Sequence, residues 1–261
     1  MQNKTGQKEP VTAAVLIIGD EILSGRTRDV NLAAIARFLN GLGIRLCEAR
    51  VVADETAEIV AAVNGLRARY TYVFTTGGIG PTHDDITADS IGAAVGLPVT
   101  HHPEAIALLK SHYTQADLNE ARLRMARTPE GAILIDNPVS KAPGFQIGNV
   151  FVMAGVPAIM RAMFEGVQSR LTGGKPQQSR TVVSQLPEGV LAKGLGEIQD
   201  RYPDLEIGSY PYFRRGAYGT SLVLRGVDPV RLDAGADEVR GLVRELGGTP
   251  LDEAPTGTET G

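Results

Sequence analysis

The sequence predicts an α/β protein: a three-layer α/β/α domain built on a mostly parallel sheet, followed by a small α+β module. Three observations predict it. Residues 11–18 form a nearly unbroken apolar run, as in a strand buried on both faces of a parallel sheet. Strand-like and helix-like segments then alternate three times, the pattern of βαβ units. Last, the segment Thr172-Gly173-Gly174-Lys175-Pro176 breaks the composition. It divides a main domain over residues 11–172 from a module over residues 176–250, with residues 1–10 and 251–261 as flexible tails.

The first strand ends at Gly19, and Asp20 and Glu21 follow at once, with Ser24, Gly25 and Arg26 continuing the loop. A helix over residues 31–42 carries Leu32, Ile35, Ala36 and Leu39 on one face and stops at Gly41 and Gly43. Residues 44–52 return as a strand. Asp54-Glu55-Thr56 opens a helix bearing Ile59, Val63 and Leu66, and Asp54 reads equally as its N-cap and as a functional acid. Tyr72 to Thr75 is a third strand, and after a glycine-rich turn a helix begins at Ile86 and closes at Gly96 and Pro98. Helices over residues 104–112 and 118–127 come next. The second carries Arg122, Arg124 and Arg127, for which solvation is a better account than phosphate contact. A short strand over 133–136, an irregular two-proline connection over 137–145, a hairpin around Gly148-Asn149 and a helix entered through Gly155-Val156-Pro157 complete the domain. That last corner is a second, weaker candidate for a phosphate edge.

The module reads strand, helix, strand, strand, helix over residues 180–246. Within it Tyr210, Tyr212, Phe213, Arg214 and Arg215 interleave aromatics with arginines. On an acidic chain this points to a contact between domains or subunits rather than to RNA stacking.

The chemistry concentrates in Gly77-Gly78-Ile79-Gly80-Pro81-Thr82-His83-Asp84-Asp85. Gly77, Gly78 and Gly80 let the backbone take positive φ and approach a ligand, and the following helix offers free N–H groups, a combination that suits a phosphate. Asp84 and Asp85 stand beside that site. A phosphate tolerates bare carboxylates only with a cation between them, and Mg2+ or another divalent metal is the natural bridge, with Asp84 and Asp85 as its ligands. The plainer account makes one of Asp84, Asp85 or Thr87 a helix cap, which leaves the second acid and the three glycines unexplained. Neither common nucleotide signature is present: no Gly-Lys-Ser/Thr follows, and His83 stands where a dinucleotide fingerprint has its third glycine. Because ligands in open α/β sheets bind beyond the carboxyl ends of the strands, Gly19, Asp20 and Glu21 are expected at the same edge.

With 261 residues, 43% hydrophobic and 21% charged, the composition is that of an ordinary globular protein. A net charge of −4 gives no long-range attraction for nucleic acid or an anionic membrane, so a phosphate must be gripped locally. The single Cys47 reads as a small buried filler and suits a reducing cytoplasm. The polar N-terminus lacks the apolar stretch of a signal peptide, and no segment approaches a membrane span. His101, His102 and His112 lack the partners of a zinc site.

Taken together, Gly19-Asp20-Glu21-Ile22-Leu23-Ser24-Gly25 with Asp29 and Asn31, the Gly77 to Thr87 loop, Ala142-Pro143-Gly144-Phe145 and Gly155-Val156-Pro157 resemble the molybdopterin-binding MoaB/Mog family, most closely its CinA branch. The module resembles the KH-type appendage of that branch through Ile207-Gly208-Ser209-Tyr210-Pro211. The resemblance implies an α/β/α fold, homo-oligomers, and a small phosphorylated ligand, either molybdopterin or an adenine nucleotide. It implies an enzyme acting at a phosphoanhydride with magnesium, by adenylyl transfer to molybdopterin or by hydrolysis of ADP-ribose. Asp54 and Asp85 match the essential acids, and Gly19, Asp20, Glu21, Ser24, Gly77, Gly78, Gly80, Thr82, Pro143 and Gly144 fall on the ligand-binding segments. Lacking an amidohydrolase domain, the chain is not expected to deamidate nicotinamide nucleotides. One departure stands out: the family's Pro-Gly-Val-Pro-x-Glu reads Ala154-Gly155-Val156-Pro157-Ala158-Ile159, without the glutamate. This favours an alternative in which the domain is a non-catalytic pterin or nucleotide binder.

Overall fold

A computed structural model describes residues 10–214 and 217–252. The chain divides after Gly174 into two compact units. In the first, β1 (Thr12–Ile18), β2 (Arg45–Val52), β3 (Tyr72–Gly77), β6 (Ile133–Ile135), β7 (Gly144–Ile147) and β8 (Val150–Ala154) form one sheet in the order β2-β1-β3-β8-β7-β6. The pairs β1–β2, β1–β3 and β3–β8 are parallel, and β7 and β6 add an antiparallel edge. Residues 13–18 of β1 are buried on both faces, as the apolar run requires.

The helices α2 (Asn31–Gly41) and α7 (Pro157–Val167) cover one face and α3 (Thr56–Arg67) and α4 (Thr87–Val95) the other. On the α2/α7 face Phe74, Phe151 and Phe164 form a chain of rings with centroids 5.1 Å apart, and Phe38 joins Phe164 at the same distance. Each such buried ring stabilises the fold by about 1.5–3 kcal/mol through area alone. Gly96 in the left-handed region ends α4, as expected for a helix stop.

Asp20–Leu23 is a short helix, α1, rather than loop. Val99–His101 (β4) and Arg127–Pro129 (β5) pair in a separate antiparallel ribbon that lacks the periodicity of a strand in the sequence. Around it lie α5 (Pro103–His112) and α6 (Glu120–Leu123). The helix expected over residues 118–127 therefore stops at α6 and passes through a 3₁₀ turn, Arg124–Ala126. Tertiary pairing overrides propensity here: the Ala126 carbonyl takes the His102 amide, and the Arg127 guanidinium grips Asp89 with bonds of 2.7 and 2.9 Å. Arg127 is thus committed to an internal ion pair, and Arg122 lies over the Tyr113 ring. Cys47 is exposed rather than buried, because β2 is an edge strand whose odd-numbered side chains face away from the core.

The second unit has β9 (Gln178–Ser184), α8 (Glu188–Arg201), β10 (Glu206–Arg214), β11 (Ala217–Gly226) and α9 (Pro229–Glu245), the expected order, on a three-stranded antiparallel sheet β10-β11-β9. Leu191, Leu195, Ile198, Leu222, Leu224 and Val239 are among its core residues. Phe213 is 76% exposed near the tip of the β10–β11 hairpin. Arg215 and most of the two expected tails, residues 1–9 and 253–261, lie outside the described residues. Leu251, placed in the C-terminal tail by its sequence, instead pairs with Val183 through two backbone bonds.

At Gly144, at the start of β7, main-chain packing leaves no room for a side chain: a Cβ would run into the Val152 carbonyl and the Met163 side chain. Gly144→Ala should therefore destabilise the first unit by roughly 1–3 kcal/mol, the usual effect of overpacking. A lowered urea midpoint with an unchanged denaturant slope would show it, and an unchanged midpoint would refute it.

Candidate functional site

The strand order 2-1-3 means that the chain leaves β1 toward one side for β2 and crosses back to the other for β3. The carboxyl ends of β1 and β3 therefore flank a switch point, where open α/β sheets hold their ligands. Two segments leave from it, the turn into α1 and the glycine loop.

On the β1 side, the Gly19 amide bonds the Val52 carbonyl at 3.1 Å. The Asp20 amide donates to Asp54 Oδ2 at 3.0 Å, and the Asp54 amide returns a longer bond to Asp20 Oδ1 at 3.4 Å. Asp54 is therefore not the N-cap of α3. Glu55 occupies that position without a side-chain bond, and Asp54 instead ties the end of β2 to the start of α1. Partial burial raises the Asp54 carboxyl above its ordinary value, and the negative charges of Asp20, Glu21 and Asp84 push the same way, against the lowering effect of the Asp20 amide. Glu21 folds back over Gly19, where a Cβ would lie 2.6 Å from its carboxylate. Ser24 is exposed and only closes α1, its amide bonding the Asp20 carbonyl.

The glycine loop is built on sterics rather than on unusual dihedrals. Gly77, Gly78 and Gly80 are absent from the positive-φ glycines, contrary to the expectation from sequence. Gly77 is the last residue of β3; its carbonyl takes the Gly155 amide at 3.1 Å, and a Cβ would sit 2.8 Å from Ile18 Cβ. At Gly78 and Gly80 a Cβ would meet the Asp85 carboxylate at 2.5 and 2.7 Å. The loop is wrapped around Asp85, which accepts from the Thr82 amide at 2.8 Å and from the Thr82 hydroxyl.

The Thr82 hydroxyl, with Asp84's own amide, also holds the Asp84 carboxyl below its ordinary range. One hydroxyl proton cannot serve both aspartates at once, and the close contact is the one to Asp85. Asp84 itself is exposed, with His83 Nδ1 3.9 Å away. No side chain caps α4, whose N-cap is Ile86, so the account of Asp84, Asp85 or Thr87 as a simple cap falls.

Asn31, Thr76, Glu21, Asp29 and Gly155 line a depression of about 70 Å3 on the α2 face of the switch point. That is well below the several hundred Å3 of a complete small-molecule pocket. Pro143 and Gly144 are buried, and the packing of Gly144 gives that glycine a structural reason. Among the described residues no three His, Cys, Asp or Glu side chains converge to hold a metal ion. The acids at the switch point offer oxygen only, which is the chemistry of a hard divalent cation.

Residues 14–172 match the family model described as a probable molybdopterin binding domain. The chain belongs to the MoaB/Mog molybdopterin-binding family, in its CinA-type branch. Residues 176–247 match a second model, the middle domain of FAD synthase. A CinA-like protein of Desulfosudis oleivorans is 34% identical over 209 residues, covering 75% of this chain and 51% of its own. A probable FAD synthase of Caenorhabditis briggsae is 30% identical over 270 residues, covering 92% of this chain and 50% of its own. The chain thus spans about half the length of both relatives. The crystal structure of CinA from Thermoplasma acidophilum, of unknown function, shares 35% identity with a TM-score of 0.59 and aligns with 62% of this chain and 99% of its own. The family model covers the whole switch point, from β1 through α7. Among the described residues no helix is long and apolar enough to cross a membrane.

In this MoaB/Mog-type domain the crowding of acids carries a stability signature. Asp54 binds its proton more tightly folded than unfolded, so its ionisation disfavours the folded state. Stability should fall as pH rises from the ordinary value of 3.8 through the raised one, and stay reduced above it. Asp54→Asn, which can still accept from the Asp20 amide, should remove that fall. Thermal melts across this window would check it, and parallel pH profiles for the two proteins would refute it.

Proposed function

We propose that the protein is a magnesium-dependent enzyme acting at the phosphoanhydride of an adenine nucleotide, by hydrolysis of ADP-ribose or a similar nucleotide diphosphate, or by adenylyl transfer to molybdopterin. The observation that carries this reading is the gathering of Asp20, Glu21 and Asp84 within electrostatic reach of Asp54, whose carboxyl is held above its ordinary proton affinity by partial burial first and by these charges second. Excess negative charge at the carboxyl edge of a parallel sheet suits a site that takes a cation together with an anionic ligand. A magnesium ion held by Asp84 and Asp85, with Asp20 or Glu21 beside them, would neutralise phosphate charge and polarise the bond to be broken. Asp85, seated between Gly78 and Gly80, places its carboxylate at the loop a phosphate would approach. Asp54 is suited to orient a water or accept its proton. Such chemistry needs placement and charge neutralisation more than a strong nucleophile. Assembly as a homo-oligomer and a cytoplasmic location belong to the same proposal.

A second reading, a pterin or nucleotide binder without chemistry, is favoured by Ile159 at the family's glutamate position and by the lack of three converging metal ligands among the described residues.

Turnover of ADP-ribose, and of ATP with molybdopterin, separates the two. The enzyme should lose activity on chelation of divalent metal and fall by on the order of 10²-fold or more in Asp85→Ala, a typical effect of removing a catalytic group. Equal rates in wild type and Asp85→Ala would remove Asp85 from the mechanism. Ligand bound without chemical change over hours, with or without metal, would establish the binder.

A further inference from the structure

Asn31 opens α2 with only 4% of its surface exposed, and its amide is half satisfied. Nδ2 donates to the Gly155 carbonyl at 2.7 Å, whereas Oδ1 is buried with no partner. Buried side-chain acceptors without a partner are uncommon in folded proteins, and each calls for a reason. The bond to Gly155 accounts for a donor at this position; it does not account for an amide that also brings an idle carbonyl.

The surroundings indicate what that carbonyl meets. Asn31 lines the depression of about 70 Å3 together with Glu21, Asp29 and Thr76, so two acidic residues share it with the residue that carries the unpartnered Oδ1. One Asp29 oxygen is engaged by the Leu32 amide at 2.9 Å. The Gly155 carbonyl is occupied by Asn31 itself. A site so rich in acceptors takes a hydrogen-bond donor. The volume admits a functional group, roughly two waters' worth of space, and not a fused ring. Without a cation between them the two acids repel a phosphate, so the group that meets Oδ1 is a donor rather than a phosphate oxygen.

We propose that Asn31 is a specificity residue whose Oδ1 accepts a hydrogen bond from an N–H or O–H of the bound nucleotide, so that the ligand is read at a donor group as well as at its phosphates. The inference rests on the nucleotide reading of the site given above. Three groups of an adenine nucleotide have the required chemistry: the exocyclic amine of the base and the ribose 2′- and 3′-hydroxyls.

Calorimetric titration of the full chain, with magnesium, by ADP, by IDP (which replaces the amine with a carbonyl), by 2′-deoxy-ADP and by 3′-deoxy-ADP tests it. One analogue should bind wild type about tenfold more weakly than ADP, the effect of one lost hydrogen bond. That discrimination should vanish in Asn31→Leu, since the coupling needs both partners. Asn31→Ala, which has no acceptor, serves if the leucine variant does not fold. Equal binding of all four ligands by wild type overturns the inference, and so does discrimination that persists in the folded variant, which would make Asn31 only a support for Gly155. Absence of ADP binding to wild type overturns the nucleotide reading itself, and this inference with it.

Discussion

Like charges gathered at a topological switch point are the constraint on which the rest of this domain depends. Asp20 and Asp54 are held beside one another by main-chain amides, so the fold itself sets their approach rather than their mutual preference. Partial burial first, and the charges of Asp20, Glu21 and Asp84 second, raise the proton affinity of Asp54 there. Strands β2, β1 and β3 run parallel, so the end of β2, the start of α1 and the loop after β3 lie at one edge of the sheet, with β1 between its two partners.

The glycine loop shows how one residue type serves a site in more than one way. Glycines in phosphate-binding loops are commonly explained by backbone freedom, yet here the dihedrals are ordinary and space is the limiting quantity. The Asp85 carboxylate occupies the volume that side chains at positions 78 and 80 would fill, and Ile18 occupies that of position 77. Thr82 fixes Asp85 with its amide and its hydroxyl, so the loop and its acid form one packed unit. The acid's placement therefore depends on the glycines as much as on its own rotamer.

The two units of the chain carry different relationships. The first has the fold and sequence of a MoaB/Mog-type domain, and the second matches a module named for FAD synthases, whose probable Caenorhabditis member is about twice as long as this chain. That match covers Ile207 to Pro211, the residues whose pattern suggested a KH-type appendage. In the second unit Arg231 lies over Tyr202, which with Arg201 bonds Glu238, holding α8 against α9 by ordinary surface interactions.

The sequence by itself determined the layered α/β architecture, the family and the stretches in which the acids and glycines lie. Hydrophobic periodicity and helix stops are local signals, and residues 11–18, the Gly96 cap and the order of elements after residue 176 express them without help from distant contacts. Tertiary structure alone decided what those residues do. Residues 118–127 give up their helix because His102 and Asp89 compete for the backbone and side chain of that segment. Cys47 is exposed because only strand order makes β2 an edge. Asn31 stands out only once Gly155, more than a hundred residues away, claims one end of its amide and burial isolates the other. Asp54 leaves its expected cap for Asp20 for the same reason: hydrogen bonds and steric exclusion between segments far apart in the chain have no periodicity for a sequence to display.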